Sequence, residues 1–248
     1  NTARATALAR GAPAPIAATA AEFYRRIEGI LVGNDPAQGV FRGQRFLHPG
    51  LDIRLDFPAG WKTQNTPTAV LAAAPGRDAL LRVEIQGPTG DPRAAAEQFA
   101  SANQLALEGG QALKVGGYDA VRARAVASTQ DGQLGLDLTW IAHPRGMFRI
   151  LGLTPAARYA TYAGDFAASA TSLRALAAAD RKSITALRLR VAQGKAGETL
   201  AALSARTGNR WSPELTAIAN GLEAGAPLAR ARPVKVVVEV PWTGNGGR

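Results

Sequence analysis

Leu134-Gly135-Leu136-Asp137-Leu138-Thr139-Trp140 is the clearest apolar alternation in the chain, and its reading decides the fold class. A large apolar side chain at every second position marks one face of a pleated strand, because successive side chains point to opposite faces. Turn signals bracket the stretch, Asp131-Gly132 before it and Pro144-Arg145-Gly146 after it. Such residues tolerate the backbone angles of a tight hairpin. The apolar runs near 112–126 and 147–153 are then its neighbours, with Gly116-Gly117 as a further turn.

Upstream, Asp91-Pro92 reads as a helix start, and Phe99, Ala102 and Leu105 continue at helical spacing. Before it lie three more strands. Leu51, Ile53, Leu55 and Phe57 alternate with Asp52, Arg54 and Asp56 until Pro58 ends the run. Val70 to Ala74 follows, then a turn at Pro75-Gly76-Arg77-Asp78, then Leu81, Val83 and Ile85. Downstream, Thr154-Pro155 opens a long helix whose stripe is Tyr159, Tyr162, Phe166, Leu173 and Leu176. Strands, helix, strands and helix joined by short turns predict an α+β fold, a mostly antiparallel sheet with helices packed on it.

The two ends read differently. Residues 1–14 are an Ala/Arg-rich tail, and a helix pattern then runs through Ile16, Ala20, Phe23, Ile27 and Leu31 until Gly33-Asn34-Asp35-Pro36 stops it. A Gly- and Arg-rich turn, Gly39 to Pro49, hands this lead over to the first strand. Ala177 to Lys182 reads as a linker. Beyond it Leu187, Leu189 and Val191 alternate as a strand, and Glu198–Thr207 is a short helix with Leu200 and Leu203. Ser212-Pro213 caps another helix, with Leu215, Ile218 and Leu222 on its apolar face and Asn220-Gly221 at its end. Val234, Val236, Val238 and Val240 close the unit as a strand, and Gly244 to Arg248 is a tail. The expected domains are a helical lead and linker over 1–46, an α+β domain over 47–180, and a βααβ domain over 183–242.

Composition bounds the function. A chain of 248 residues favours about two domains. With 46% hydrophobic and 19% charged residues it can bury a core. No apolar run reaches the roughly 18 residues of a membrane span. The N-terminus shows neither Met nor a signal-peptide core, so a chain opening on Asn1 is expected to be a processed or excised piece. Cysteine is absent, which excludes disulfides and thiolate metal ligands. The net charge of +10 admits a polyanion partner, yet only five of the 29 cations are Lys and the Arg residues are scattered singly. That pattern suits a GC-rich genome and disfavours nucleic-acid binding.

The sequence carries none of the familiar catalytic constellations. A helical zinc site needs two His one turn apart with a Glu between them. The chain holds only His48 and His143, with no His-Glu pair. There is no Gly-x-Ser-x-Gly elbow, and Gly194 to Thr199 lacks the order of a phosphate loop. Asp52 and Asp56 share a strand face roughly 13 Å apart, too far for a retaining carboxylate pair. Trp61 and Trp140 fall in core patterns, whereas Trp211 follows Asn209-Arg210 in a loop and is a candidate ligand contact.

Three resemblances extend this reading. Gln38-Gly39, Arg42-Gly43, Phe46-Leu47-His48-Pro49, Phe57-Pro58, Gly60-Trp61 and Gln64-Asn65-Thr66-Pro67 resemble the join behind the catalytic domain of bacterial envelope zinc metalloproteases of the HtpX and CAAX-prenyl-protease type. Residues 47–176, opening on a strand that ends in Phe57-Pro58 and closing on Ser172 to Leu176, look like a PsbP-like domain. Gly197-Glu198-Thr199-Leu200 and Asn220-Gly221-Leu222 resemble the turns of LysM, a glycan-binding module, although Trp211 and the segment 223–233 depart from that family.

The first resemblance implies a non-catalytic C-terminal region that regulates or anchors a periplasmic zinc metalloendopeptidase of envelope quality control. Zinc, the only cofactor implied, then belongs to a catalytic domain outside this chain, and that domain is the expected partner. Arg42, Arg45 and His48 are the candidate docking residues. For His48 a turn position satisfied by backbone is the other reading. The LysM resemblance implies peptidoglycan as a further partner, held by Gly197, Glu198, Thr199, Asn220, Gly221 and Leu222, with Trp211 beside them. The rival from another class is a free-standing protein that binds wall glycan or another polyanion.

Overall fold

The computed structural model describes residues 17–244. The tail read over 1–14, the start of the first helix at Pro15-Ile16, and residues 245–248 lie outside the described residues.

In chain order the elements begin with helix α1 (Ala20–Ile27) and strands β1 (Leu31–Val32), β2 (Val40–Arg42), β3 (Arg45–His48), β4 (Ile53–Asp56), β5 (Lys62–Asn65), β6 (Val70–Ala73) and β7 (Leu80–Ile85). Helix α2 (Pro92–Asn103) leads to the long strands β8 (Glu108–Val115), β9 (Tyr118–Thr129), β10 (Gly132–His143) and β11 (Gly146–Pro155). Helices α3 (Tyr159–Ser172) and α4 (Ala178–Ser183) follow, then β12 (Thr185–Gly194), α5 (Leu200–Thr207), α6 (Pro213–Asn220) and β13 (Arg232–Pro241). The fold is α+β, and the strand pairs of the described residues are antiparallel.

Two compact units form, Asn34–Ile184 and a second one made of the chain up to Gly33 with the chain from Thr185 on. This division cuts the expected lead of 1–46 in two. Gly29, at φ +83, ends the helical run, so Leu31 is extended and pairs with Arg188 of β12 rather than closing a helix face. Residues 40–48, expected as a turn, are the hairpin β2–β3.

In the larger unit, one sheet runs β5-β6-β7-β11-β10-β9-β8 and a second runs β2-β3-β4. The run expected near 112–126 is two strands, because Gly116 and Gly117 both take positive φ and turn the chain. Strand β10, between β11 and β9, is covered on both faces. Leu136, Leu138 and Trp140 pack with Ala96 of α2, and Ile141 packs with Phe166 of α3. Gly152 makes the second contact possible: a Cβ there would stand 2.4 Å from the Phe166 ring. Trp61 joins the same core, edge-on to Tyr162 and Phe166. Helix α3 stops at Ser172, earlier than its apolar stripe suggested, yet Leu173 and Leu176 remain buried.

The expected linker over 177–182 is helix α4. Its Asp180 carboxylate accepts from the Ala177 N–H (3.1 Å) and from Arg54 (3.3 Å) and Arg45 (3.5 Å). A nearly buried carboxylate held this way ties the segment to the small sheet.

In the other unit, β1-β12-β13 form the sheet, and β12-α5-α6-β13 follow the βααβ order. Leu200, Leu203, Ala217, Leu228, Val234 and Val236 make its core. The expected apolar face of α6 is the wrong one. Leu215 is 45% and Ile218 78% exposed, while Thr216, Ala217 and Asn220 face inward. Asn220 explains the rotation. Its side chain donates to the Lys235 carbonyl (2.9 Å) and accepts from the Lys235 N–H (2.7 Å), as a neighbouring strand would. Asn209 and Arg210 do the same at Val237, through Asn209 Oδ1 (2.8 Å) and the Arg210 N–H (2.7 Å). The outer edge of β13 is thereby closed to another strand.

Asn220→Ala leaves a backbone N–H and C=O of β13 without partners. A loss of about 1–3 kcal/mol in urea unfolding is expected. Unchanged stability would show that these bonds do not hold the helix to the strand.

Candidate functional site

The two halves of the motif from Gln38 to Ala69 meet around one cavity of about 420 Å³. The first half begins with Asp35, whose Oδ1 accepts from the Ala37 N–H (2.9 Å) and caps a single 3-10 turn, Pro36–Gln38. Gly39 follows at φ +91, and a Cβ there would lie 2.3 Å from the Phe46 ring. Only glycine meets both conditions. The chain then makes the β2–β3 hairpin and reaches Phe46 and His48.

The second half arrives along β5. Asn65 Nδ2 donates to the carbonyls of Gln38 (2.8 Å) and Gly39 (3.2 Å). Thr66 Oγ1 then closes the next turn, bonding the N–H and C=O of Ala69. Val70, Val83, Ile85 and Phe148 of the large sheet, with Ile53 and Leu55 of β4, complete an apolar wall.

His48 stands in this wall, half-buried. Its Nδ1 accepts from the Leu51 N–H (3.1 Å), so the neutral ring carries its proton on Nε2. Burial pushes the imidazole below its ordinary pKa. Among the described residues Glu84 is the one charged side chain of the lining. Burial raises its carboxyl, but the hydrogen bonds from Arg82 (2.8 and 2.9 Å) and from Arg149 outweigh that and hold it below the usual range. The Arg149 guanidinium in turn lies 4.3 Å above the Phe99 ring.

The three candidate docking residues are not one cluster. Arg42 is exposed, and its Nε donates to the Ser183 carbonyl (3.0 Å). Arg45 bonds Asp56 (3.1 Å) and Asp180, so its charge is engaged inside the unit. Arg45 and His48 are three residues apart on β3 and so point to opposite faces. Asp52 and Asp56 do not share a strand face either. Asp52 sits at φ +57 before β4, bonded by Arg181 and the Leu176 N–H. Asp56 takes Arg45, Arg54 and Arg174.

In the C-terminal unit the candidate glycan residues mostly serve the fold. The Gly197 N–H donates to the Leu228 carbonyl (2.7 Å), and the Leu228 N–H donates to the Glu198 carbonyl (2.9 Å). Both backbone groups are thereby taken up within the fold. Glu198 is clasped by Arg206 through two bonds of 2.9 Å and by the Lys195 N–H, which hold its pKa down to about 2. Thr199 caps α5. Asn220 faces β13, Gly221 takes the left-handed cap position, and Leu222 packs on the core. Trp211 is half-buried, its backbone N–H donating to Asn209 Oδ1.

The cavity residues from β7 and β11 could not be assigned to a site from sequence, since Val83 and Phe148 read as ordinary core. The cluster Asn65-Thr66-Pro67-Thr68 was the one available signal, a turn dense in polar side chains. No group of three or more His, Asp or Glu among the described residues could hold a metal. No described helix is long and apolar enough to cross a membrane.

No family model matches the chain, and no curated protein matches it. Solved structures similar to it include the cyanobacterial PsbP protein CyanoP of Synechocystis, at 16% identity and a TM-score of 0.45, with 58% of this chain covering 99% of that one. LpqN of Mycobacterium tuberculosis, involved in cell envelope biogenesis, is 16% identical with a TM-score of 0.36, over 64% of this chain and 98% of that one. A Bacteroides thetaiotaomicron protein is 17% identical with a TM-score of 0.40 over 60% of this chain, which spans about half of that protein (53%).

His48 and His143 are both lowered by burial, so the unfolded chain takes up protons first as pH falls. Their contribution to stability is complete above the unfolded value of 6.5 and is lost as pH drops through the folded values below it. Unfolding followed from pH 7.5 to pH 5.5 is expected to show a falling midpoint, less so in His48→Gln. A flat profile contradicts the assigned burial.

Proposed function

We propose that this chain is the non-catalytic, regulatory and anchoring region of a periplasmic zinc metalloendopeptidase of envelope protein quality control, and that its Asn34–Ile184 unit works by binding. The observation that carries this reading is the convergence of the motif's two halves on the cavity. A sequence that merely joined two domains would lie open to water. Here Phe46, Leu47, Phe57 and Trp61 are buried, and Gln38, His48 and Asn65 line a concave surface. Concave apolar sites with a few polar groups are where ligands and partner segments are held. On this reading His48 marks the binding place and exposed Arg42 lies on the docking side of the small sheet. The zinc and the general base sit in a domain outside this chain.

A second reading, wall-glycan binding by the C-terminal unit, draws on its βααβ order. Leu228 weighs against it, because it takes the backbone groups of Gly197 and Glu198.

Affinity capture of the tagged chain from the envelope of its source organism tests the first reading. A polypeptide carrying His-Glu-x-x-His is expected in the eluate, while the chain alone with added zinc leaves casein uncut. Recovery of wall glycan without that polypeptide, or salt-resistant retention of the whole chain on purified peptidoglycan, would favour the second.

A further inference from the structure

We propose that the 420 Å³ cavity is a binding site for an uncharged amphipathic molecule, with an acyl-type apolar body inside and an ester or amide carbonyl at the His48–Asn65 edge. The assignment rests on reading this unit as the binding part of the chain and adds the chemical class of its ligand.

Size and wall chemistry set the apolar body. The volume falls within the roughly 300–1,000 Å³ of small-molecule sites. Leu51, Pro67 and Ile85 present carbon to an occupant, and behind them Phe46, Ile53, Val70, Val83 and Phe148 form a buried apolar floor. Each square ångström of apolar ligand surface taken from water there favours binding by about 25 cal/mol.

Two polar atoms set the head group. With His48 Nδ1 occupied by the Leu51 N–H, the Nε2–H is a donor with no acceptor among the described residues. Asn65, an exposed residue, spends its amide on the Gln38 and Gly39 carbonyls, which leaves Oδ1 as an acceptor open to solvent at the cavity rim. One donor and one acceptor at the edge of an apolar cavity match a neutral carbonyl group with an adjacent N–H or O–H.

Charge excludes the ionic alternatives. No Lys or Arg among the described residues lines the cavity, so a carboxylate head would meet no cation there and would face Glu84. The Glu84 carboxylate is itself saturated by Arg82 and Arg149, so a cationic head would find no free anion. A fatty acid and a quaternary amine are therefore both poorer ligands than an ester or amide of the same chain.

The test titrates the intact chain at pH 7 with monooctanoylglycerol, below its micellar concentration, and separately with octanoate, following amide NMR signals. Saturable shifts at His48, Asn65, Ala69 and Val83 are expected with the ester, and octanoate is expected to bind at least about tenfold more weakly for want of a cation. His48→Phe keeps an aromatic ring and removes the donor, and is expected to weaken the ester about tenfold, the weight of one hydrogen bond. Ile85→Trp, at a 40% exposed cavity position, fills the space without disturbing the deep core and is expected to abolish binding with the melting temperature retained. No saturable shift with the ester, equal binding of octanoate, or full binding by Ile85→Trp overturns the assignment. Capture of a metalloprotease polypeptide without ester binding overturns the ligand alone, and ester binding without such capture overturns the parentage alone.

Discussion

The side-chain amide of Asn65 holds the cavity together. Its two hydrogen bonds fix the carbonyls of Gln38 and Gly39 to the end of β5, an edge strand of the large sheet. Each is worth about 1 kcal/mol net, so the bonds alone are modest. The steric term at Gly39 is more exacting, since a Cβ 2.3 Å from the Phe46 ring requires the ring or the backbone to move. Bond and contact act on the same residue, and together they fix the turn at Gly39 against the end of β5 and the Phe46 ring.

The charge distribution follows a related logic. The chain carries an excess of Arg, but the carboxylates that matter are enclosed by them. Asp137, 2% exposed, takes Arg122 through bonds of 2.6 and 2.9 Å and the Tyr159 hydroxyl at 2.6 Å. Burial first, and then that carboxylate, push the Tyr159 hydroxyl up to about 12. Asp180 and Glu84 are enclosed in the same manner. A buried carboxylate stripped of its partner is costly, whereas an exposed pair such as Lys114–Asp119 contributes little. Arginine here is first a structural residue, and the surplus positive charge is what remains after the acids are paired.

The α+β class, the antiparallel pairing and most long strands could be read from alternation and turn residues, because Leu136, Leu138 and Trp140 obey the period of two without interruption. Short strands escaped that test. Lys62–Asn65 and Val40–Arg42 present mostly polar or partly exposed side chains, and their pairing is set by neighbours far along the chain. The face of α6 was misread because Asn220 wins over Leu215 and Ile218: two bonds to a strand edge decide the rotation where hydrophobicity predicted the opposite. Helix α4 was hidden in an Ala-rich run, since its anchor, Asp180, acts through Arg45 and Arg54 well over a hundred residues away. The cavity was only half readable. Its polar edge falls within Gln64-Asn65-Thr66-Pro67, and its apolar wall is indistinguishable in sequence from core.

A crystal of the intact chain under xenon pressure addresses the central claim, that the motif from Gln38 to Ala69 walls an open apolar cavity. Apolar cavities take up such atoms, whereas polar or collapsed ones do not. The account predicts a xenon peak against Leu51, Val70 and Ile85 with Gln38, His48 and Asn65 unmoved. Side chains closed across that space, with no xenon between the two sheets, would contradict it.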